Sequence, residues 1–210
     1  MNISKMAIIL LMLLLSGCQV LETRYPPAPD YYYINPNKDL TSIGRVALIE
    51  LENESTYPQI SPDITKTLFQ ALQKKQVFGI SVINKKDSQW QSLQLGRNST
   101  YNLEQLSMMR KKLKADAILK GTVTGYQPFP YLTISLRLKL LDLTDGQLIW
   151  AFEQVWDSSD KITQQRIKNY FKSQTHSEFA HLSEELVTVS SLKFIKFVVY
   201  EIAESIKKEY

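Results

Sequence analysis

Tyr131-Leu-Thr-Ile-Ser-Leu-Arg-Leu-Lys-Leu-Leu141 alternates almost without fault. Leu132, Ile134, Leu136, Leu138 and Leu140 point one way, and Thr133, Ser135, Arg137 and Lys139 point the other. Period two is the strand period, and one wet face marks a half-buried antiparallel strand. Thr144-Asp145-Gly146 supplies a hairpin turn signal. Gln147 to Val155 returns as a partner strand, with Trp150, Phe152 and Trp156 at alternate positions. Ala117 to Tyr126 reads as a strand before them, with Gly121 and Gly125 inside it. Three sequential antiparallel strands follow from these residues.

Upstream the period changes. Arg45-Val-Ala-Leu-Ile-Glu50 is a short apolar run of β-formers and reads as a buried strand. Asn53 to Gln59 reads as a polar loop. Ser61-Pro62-Asp63 then predicts a helix start, with Ser61 as N-cap, Pro62 at the first helical position and Asp63 at the positive helix end. Ile64, Leu68, Ala71 and Leu72 share one face of that helix. Phe78-Gly79 turns the chain into a second strand, Ile80 to Ile83. Lys85 to Thr100 is polar and reads as a loop. Asn102 and Gln105 form a capping-box pattern ahead of Leu103, Leu106, Met109 and Leu113 at helical spacing. Arg110, Lys111, Lys112 and Lys114 fall between them, either as a solvated face or as a contact for anionic lipid or glycan.

Downstream, Asp157-Ser158-Ser159-Asp160 offers caps for a polar helix near Lys161 to Ser173. Ser183 to Lys208 is an amphipathic helix whose stripe is Leu192, Ile195, Val199, Ile202 and Ile206. Glu204 stands four residues before Lys208, at ion-pair spacing. The chain therefore predicts an α/β (α+β) sandwich. Its mixed sheet has about five strands and includes an antiparallel three-stranded meander. Helices pack the sheet, among them a long C-terminal amphipathic one.

With Ala115-Asp116-Ala117-Ile118-Leu119-Lys120-Gly121-Thr122-Val123, the Leu132 to Leu140 alternation and Leu143-Thr144-Asp145-Gly146-Gln147-Leu148-Ile149-Trp150 in place, a resemblance emerges. The pattern resembles the superfamily of the periplasmic domain of CsgG curli-secretion proteins, the penicillin-binding-protein activator LpoB, the exopolysaccharide-export lipoprotein PelC and the N-terminal domain of TolB. It covers roughly Arg45 to Val155. Asp145 stands before Gly146 where Thr or Ser is commoner, with the spacing kept. The resemblance implies a lipoprotein that builds an envelope assembly, often a ring, and is not an enzyme. No pair of long alternating apolar segments is left over for CsgG-type membrane hairpins, and the tether is shorter than that of LpoB.

The start of the chain says where the domain resides. Lys5 is a basic n-region, Met6 to Leu15 is an apolar run of ten residues, and Ser16-Gly17 precede Cys18. That is a secretory signal. A span needs about 20 apolar residues, twice what is present. Leu15-Ser16-Gly17-Cys18 resembles the lipobox of bacterial lipoproteins, which implies a diacylglyceryl group on Cys18 and cleavage before it. Several acyl chains anchor stably where one binds only marginally. Cys18 is the only Cys, so an internal disulfide is excluded and lipid consumes the lone thiol. Gln19 is not the Asp that tends to retain lipoproteins in the inner membrane, which favours the outer membrane, periplasm-facing.

The domains expected are thus a signal peptide at 1–17, a lipidated Cys with a Pro- and Tyr-rich tether at 18–42, and a periplasmic α/β domain at 43–210. Pro26, Pro27, Pro29 and Pro36 favour an extended, semi-rigid tether. Tyr31, Tyr32 and Tyr33 either pack the tether's end onto the domain or offer an aromatic segment to a partner or a membrane interface.

Composition and motifs then narrow the function. Apolar content is 44%, and 25 basic against 21 acidic residues are too balanced and scattered for nucleic acid. His176 and His181 stand five apart without a Cys partner, which is wrong for a helical zinc pair. Seven glycines include no Gly-x-Gly array, and no Gly-x-Ser-x-Gly elbow occurs. Asp142 and Asp145 flank a turn, and Asp157 and Asp160 read as caps. No catalytic, metal or cofactor site is expected. The leading expectation is a lipid-anchored accessory component of an envelope machine for secretion, polysaccharide export or cell-wall synthesis. It works through protein contacts and presents an exposed apolar and aromatic patch, with a homo-oligomeric ring as one form. The alternative is a binding module for a small ligand or glycan, with Trp90, Tyr126, Phe129 and Tyr131 around a pocket.

Overall fold

The computed structural model describes residues 32–93, 101–174 and 190–206. One sheet organises them. Its strands are β1 (Tyr32–Ile34), β2 (Arg45–Ile49), β3 (Glu52–Asn53), β4 (Gly79–Ile83), β5 (Ala117–Gln127), β6 (Thr133–Asp142) and β7 (Leu148–Asp157). The order is β1-β7-β6-β5-β2-β4, with β3 also on β5. β2 pairs parallel with β4 and β5, whereas β5, β6 and β7 pair antiparallel in chain order. The sheet is mixed, as expected, but it holds seven strands rather than about five. The extra two are β1, in the expected tether, and β3, in the expected polar loop. Two or three residues are too few to show a period, and both strands exist only because a neighbouring strand offers them an edge.

Alternation sorts the core. Val46 and Leu48 of β2 join the larger apolar cluster, while Ala47 and Ile49 join a smaller one on the other face. Ala117 and Leu119 of β5 divide from Ile118 in the same way. Both faces of this part of the sheet are therefore covered, as parallel strands require. On β6 only one face is dry. Leu132, Ile134, Leu136, Leu138 and Leu140 are at most 2% exposed. Each such leucine contributes roughly 1.5–3 kcal/mol by burial, so this row alone fixes the register. A bulge between Val123 and Gly125 shifts the parity of β5, which keeps Tyr126 opposite Ile134 and against the larger cluster.

The helices are α1 (Ile60–Lys75), the short α2 (Ser88–Ser92), α3 (Leu103–Leu113), α4 (Lys161–Gln174) and α5 (Ser191–Ser205). Ile64, Leu68 and Leu72 of α1 and Phe194, Phe197 and Val198 of α5 pack on the larger cluster. Leu106, Met109 and Leu113 of α3 pack on the smaller one.

Three local expectations are corrected. Ser61 does not cap α1. Gln59 occupies the N-cap without a side-chain bond, and buried Ser61 donates its hydroxyl to the Leu51 carbonyl. Leu51 N–H in turn donates to Thr65 Oγ1 at 3.1 Å, so two α1 hydroxyl groups satisfy one buried backbone unit. Leu103 and Leu192 stand on the apolar stripes expected of them yet are 71% and 56% exposed, since each begins its helix beyond the sheet's cover. The loop expected over 85–100 contains α2. The capping box of Asn102 and Gln105 forms in both directions. Of the C-terminal helix expected over 183–208, residues 183–189 and 207–208 lie outside the described residues.

Candidate functional site

The lipobox, Leu15, Ser16, Gly17 and Cys18, lies outside the described residues, as do Tyr31, His176 and His181. Tyr32 and Tyr33 belong to β1, which runs antiparallel along β7 opposite Phe152 and Ala151. Both side chains remain exposed. The segment after β1 is then clasped to the β6–β7 hairpin. Asn35 N–H donates to the Ile149 carbonyl at 2.8 Å and its side chain to the Leu148 carbonyl at 2.9 Å. Lys38 Nζ reaches Asp142 at 2.8 Å and Asp145 at 2.6 Å. Those two bonds hold the Lys38 pKa above its ordinary value. Asp142 is half-buried, which raises its pKa, but Lys38 and the Thr144 N–H outweigh burial and hold the carboxyl below the usual range. Residues 32–42, assigned by composition to the tether, are thus attached to the sheet.

Beneath α5 lies a buried ionic group that spacing alone did not reveal. Trp156 Nε1 donates to Glu201 Oε2 at 2.6 Å. Arg166 Nε of α4 lies 3.3 Å from Glu201 Oε1, with both side chains under a tenth exposed. Gln154, its amide turned so that the oxygen faces Arg166, accepts from both terminal nitrogens at 3.2 and 3.0 Å. Burial pushes the Glu201 carboxyl up against the opposing pull of Trp156 and Arg166. These groups face one another. Their arrangement locks β7, α4 and α5 together. Trp150, also fully buried, stacks on Phe152 at 5.7 Å and belongs to the core.

A groove of about 560 Å³ runs between α1 and α5. Ala71, Val199 and Ala203 line its apolar part, and Lys74, Lys75, Lys196, Tyr170 and Tyr200 its polar part. Lys75 is paired with Glu204, the residue expected to pair with Lys208. The two tyrosine rings lie 4.7 Å apart, and burial raises both hydroxyl pKa values, so both remain neutral donors at physiological pH. The aromatic pocket expected from the sequence is not assembled. Trp90 packs on the smaller cluster, Tyr126 on the larger, and Phe129 and Tyr131 are 81% and 57% exposed.

The second surface is the uncovered side of β6 and β7. Arg137 and Lys139 of β6, with Glu153 and Val155 of β7, are exposed, and Arg137 grips Glu153 through two nitrogens at 3.0 and 2.8 Å. A hollow of about 570 Å³ lies among Tyr32, Tyr33, Arg137, Lys139 and Glu153. Among the described residues, no group of three or more His, Cys, Asp or Glu is placed to hold a metal ion, and no helix is long and apolar enough to cross a membrane.

The architecture is a mixed α/β domain whose sheet carries an open polar side. Solved structures similar to this chain include the PelC dodecamer from Paraburkholderia phytofirmans, at 12% identity and TM-score 0.44, covering 64% of this chain and 85% of that one. Lipoprotein GNA1162 from Neisseria meningitidis matches at 14% identity and TM-score 0.42, covering 64% and 99%. The LpoB C-terminal domain from Salmonella enterica matches at 19% identity and TM-score 0.38, covering 54% and 82%. PelC and LpoB are two of the proteins in the sequence resemblance. No protein-family model matches the chain, and no curated protein matches it.

Proposed function

We propose that this protein is a lipid-anchored accessory or assembly component of a cell-envelope machine, held by lipid on Cys18 and acting through protein contacts rather than catalysis. The observation that carries the reading is the open side of β6 and β7. Leu132 and the four inward residues of β6 after it are buried, while the outward row is left to solvent with Tyr33, Arg137, Glu153 and Val155 displayed. An open face of mixed charge with aromatic and aliphatic side chains suits a protein partner. The lipobox at residues 15–18 and the pattern from Ala115 to Trp150 support the envelope setting, and Gln19 supports the outer membrane. The secretion, polysaccharide and cell-wall pathways are all compatible with these features, as is a ring of identical subunits.

A photo-reactive residue replacing Val155 tests this in cells. The expected result is one reproducible cross-linked envelope protein, or a second copy of the chain, lost when Arg137 and Glu153 are both changed to alanine. A chain that stays monomeric and uncross-linked would overturn the reading. The groove between α1 and α5 favours a second reading, a binding module for an anionic ligand or glycan, because Lys74 and Lys196 stand over it beside two neutral tyrosine hydroxyls. Calorimetry with uronic-acid oligosaccharides, against Lys74→Ala/Lys196→Ala, separates the two.

A further inference from the structure

Exposed apolar side chains gather at one end of the sheet. The β5–β6 connection is Gln127-Pro-Phe-Pro-Tyr-Leu132, and Pro128 to Leu132 carry no charge. Phe129 is 81% exposed and Tyr131 57%. Tyr57, in the connection before α1, is also exposed and packs edge-on against Tyr126 at 5.2 Å. Tyr126 Oη lies 2.9 Å from Ser191 Oγ, which brings the start of α5, with exposed Leu192, to the same end. Ser158 N–H donates to the Leu132 carbonyl at 2.9 Å, which brings the start of α4, with exposed Ile162, there too. Folding leaves these five side chains in water although each would gain by leaving it.

The register of β1 says what lies beyond that end. Tyr32 pairs with Phe152 and Ile34 with Trp150, so β1 read backwards runs toward Asp157. Asp157 pairs with Thr133, at the foot of the Phe129 loop. β1 thus starts beside Phe152, about midway along β7, and its direction there points back toward the apolar end. At no more than about 3.5 Å per residue, the segment from Cys18 to Tyr32 holds that entry within roughly 50 Å of the anchored lipid. Asp157, at the apolar end, lies five residues along β7 from that entry, about 17 Å, well within the reach of the tether. Lys161 and Lys193 flank Ile162 and Leu192, as suits phosphate headgroups. Asp157 and Asp160 stand at this end too, accepting hydrogen bonds from Ser159 and Thr163, so the contact rests on the apolar side chains and not on net charge. Phenylalanine, leucine and isoleucine enter the acyl boundary while tyrosine remains at headgroup level.

We propose that this end of the domain, with Phe129 and Tyr131 foremost, rests in the surface of the membrane that holds the Cys18 lipid, leaving the β6–β7 turn and the open sheet side to face outward. The inference rests on the reading of Cys18 as the anchor. Because Cys18 is the only Cys, a spin label at Phe129→Cys is unique once Cys18 carries lipid. The lipidated full chain is placed in vesicles of phosphatidylethanolamine and phosphatidylglycerol without other protein, and label collision with oxygen and with a nickel chelate is measured. Thr144→Cys in the β6–β7 turn is the reference, and Tyr131→Cys is a second probe. The expected result is a severalfold higher oxygen-to-nickel ratio at 129 and 131 than at 144. Equal ratios on a lipidated chain overturn this inference and leave the anchor intact. A chain whose Cys18 thiol itself takes the label overturns both. Spin–spin broadening at 129, with both collision rates low, means that a second copy covers the loop, and it also overturns the inference.

Discussion

Glu201 shows how a single residue can organise this domain without being a site. Its carboxylate accepts a hydrogen bond from Trp156 Nε1 and forms an ion pair with the Arg166 guanidinium, under α5. Removing one partner of a buried pair costs about 3–5 kcal/mol, because the other charge is left unpaired in a dry place, whereas replacing both by apolar groups is often close to neutral. Urea unfolding should therefore rank Glu201→Leu as less stable than Arg166→Met/Glu201→Leu, in which the neutral Trp156 N–H and Gln154 amide lose partners but no charge is left unpaired. If the single and double variants are equally unstable, the pair is not the link between α4 and α5. The pH dependence follows from the same burial. The Glu201 pKa is raised in the folded chain, so the folded state holds the proton more tightly than the unfolded state. Its contribution is fully present below the ordinary carboxylate pKa and declines as pH rises through the raised value. The deficit of Glu201→Gln relative to the natural chain should accordingly be larger at acid pH than at neutral pH. A deficit that grows on going to neutral pH would mean that Arg166 outweighs burial.

At the scale of elements, close packing of β5 on β6 depends on a missing side chain. A Cβ on Gly121 would meet the Arg137 carbonyl oxygen at 2.3 Å and Leu138 Cδ2 at 2.5 Å. Backbone in the middle of a sheet cannot retreat, so Gly121→Ala should cost at least the roughly 1–3 kcal/mol of an overpacked core, read as a lower urea midpoint with unchanged slope. Gly125, whose Cβ would meet Ser135 Oγ at 3.3 Å, should tolerate alanine far better. If both variants behave alike, the close approach at Gly121 is not what its lack of a side chain serves. The elements most readable from sequence were those that carry their own period. β6 announces itself through five alternating apolar residues, and α3 through Asn102, Gln105 and its apolar spacing. β1 and β3 were unreadable because their existence depends on edges supplied by β7 and β5. The role of Ser61 was hidden for a related reason. A hydroxyl beside a helix-start proline looks like a cap, and only the fold brings the Leu51 carbonyl to it. The Glu201 group was hidden by distance, since Trp156 and Glu201 are 45 positions apart and a lone glutamate on an amphipathic helix reads as solvated.

For the whole molecule, the division between anchor and domain sets what each can affect. Cys18 precedes the first described residue, Tyr32, and the apolar clusters that hold the sheet are built from Ile34 onward. Changing Cys18 should therefore alter location and leave folding alone. With residues 1–18 replaced by an ordinary cleavable secretory signal, the chain should pass from the membrane pellet to the soluble periplasmic fraction, because the apolar end of the domain lacks the multiple acyl chains that make attachment stable. Its urea midpoint should stay within the roughly 0.5 kcal/mol expected of a change remote from the core. The two measurements decide different things. Retention in the pellet with unchanged stability would mean that the Phe129 end, or a partner on the open side of β6 and β7, holds the domain without lipid. Release accompanied by a large loss of stability would mean that residues before Tyr32 are structural, and the clasp of Lys38 on Asp142 and Asp145 would then be part of a longer attachment. Release with stability intact makes the proposed lipid on Cys18 solely a device of position.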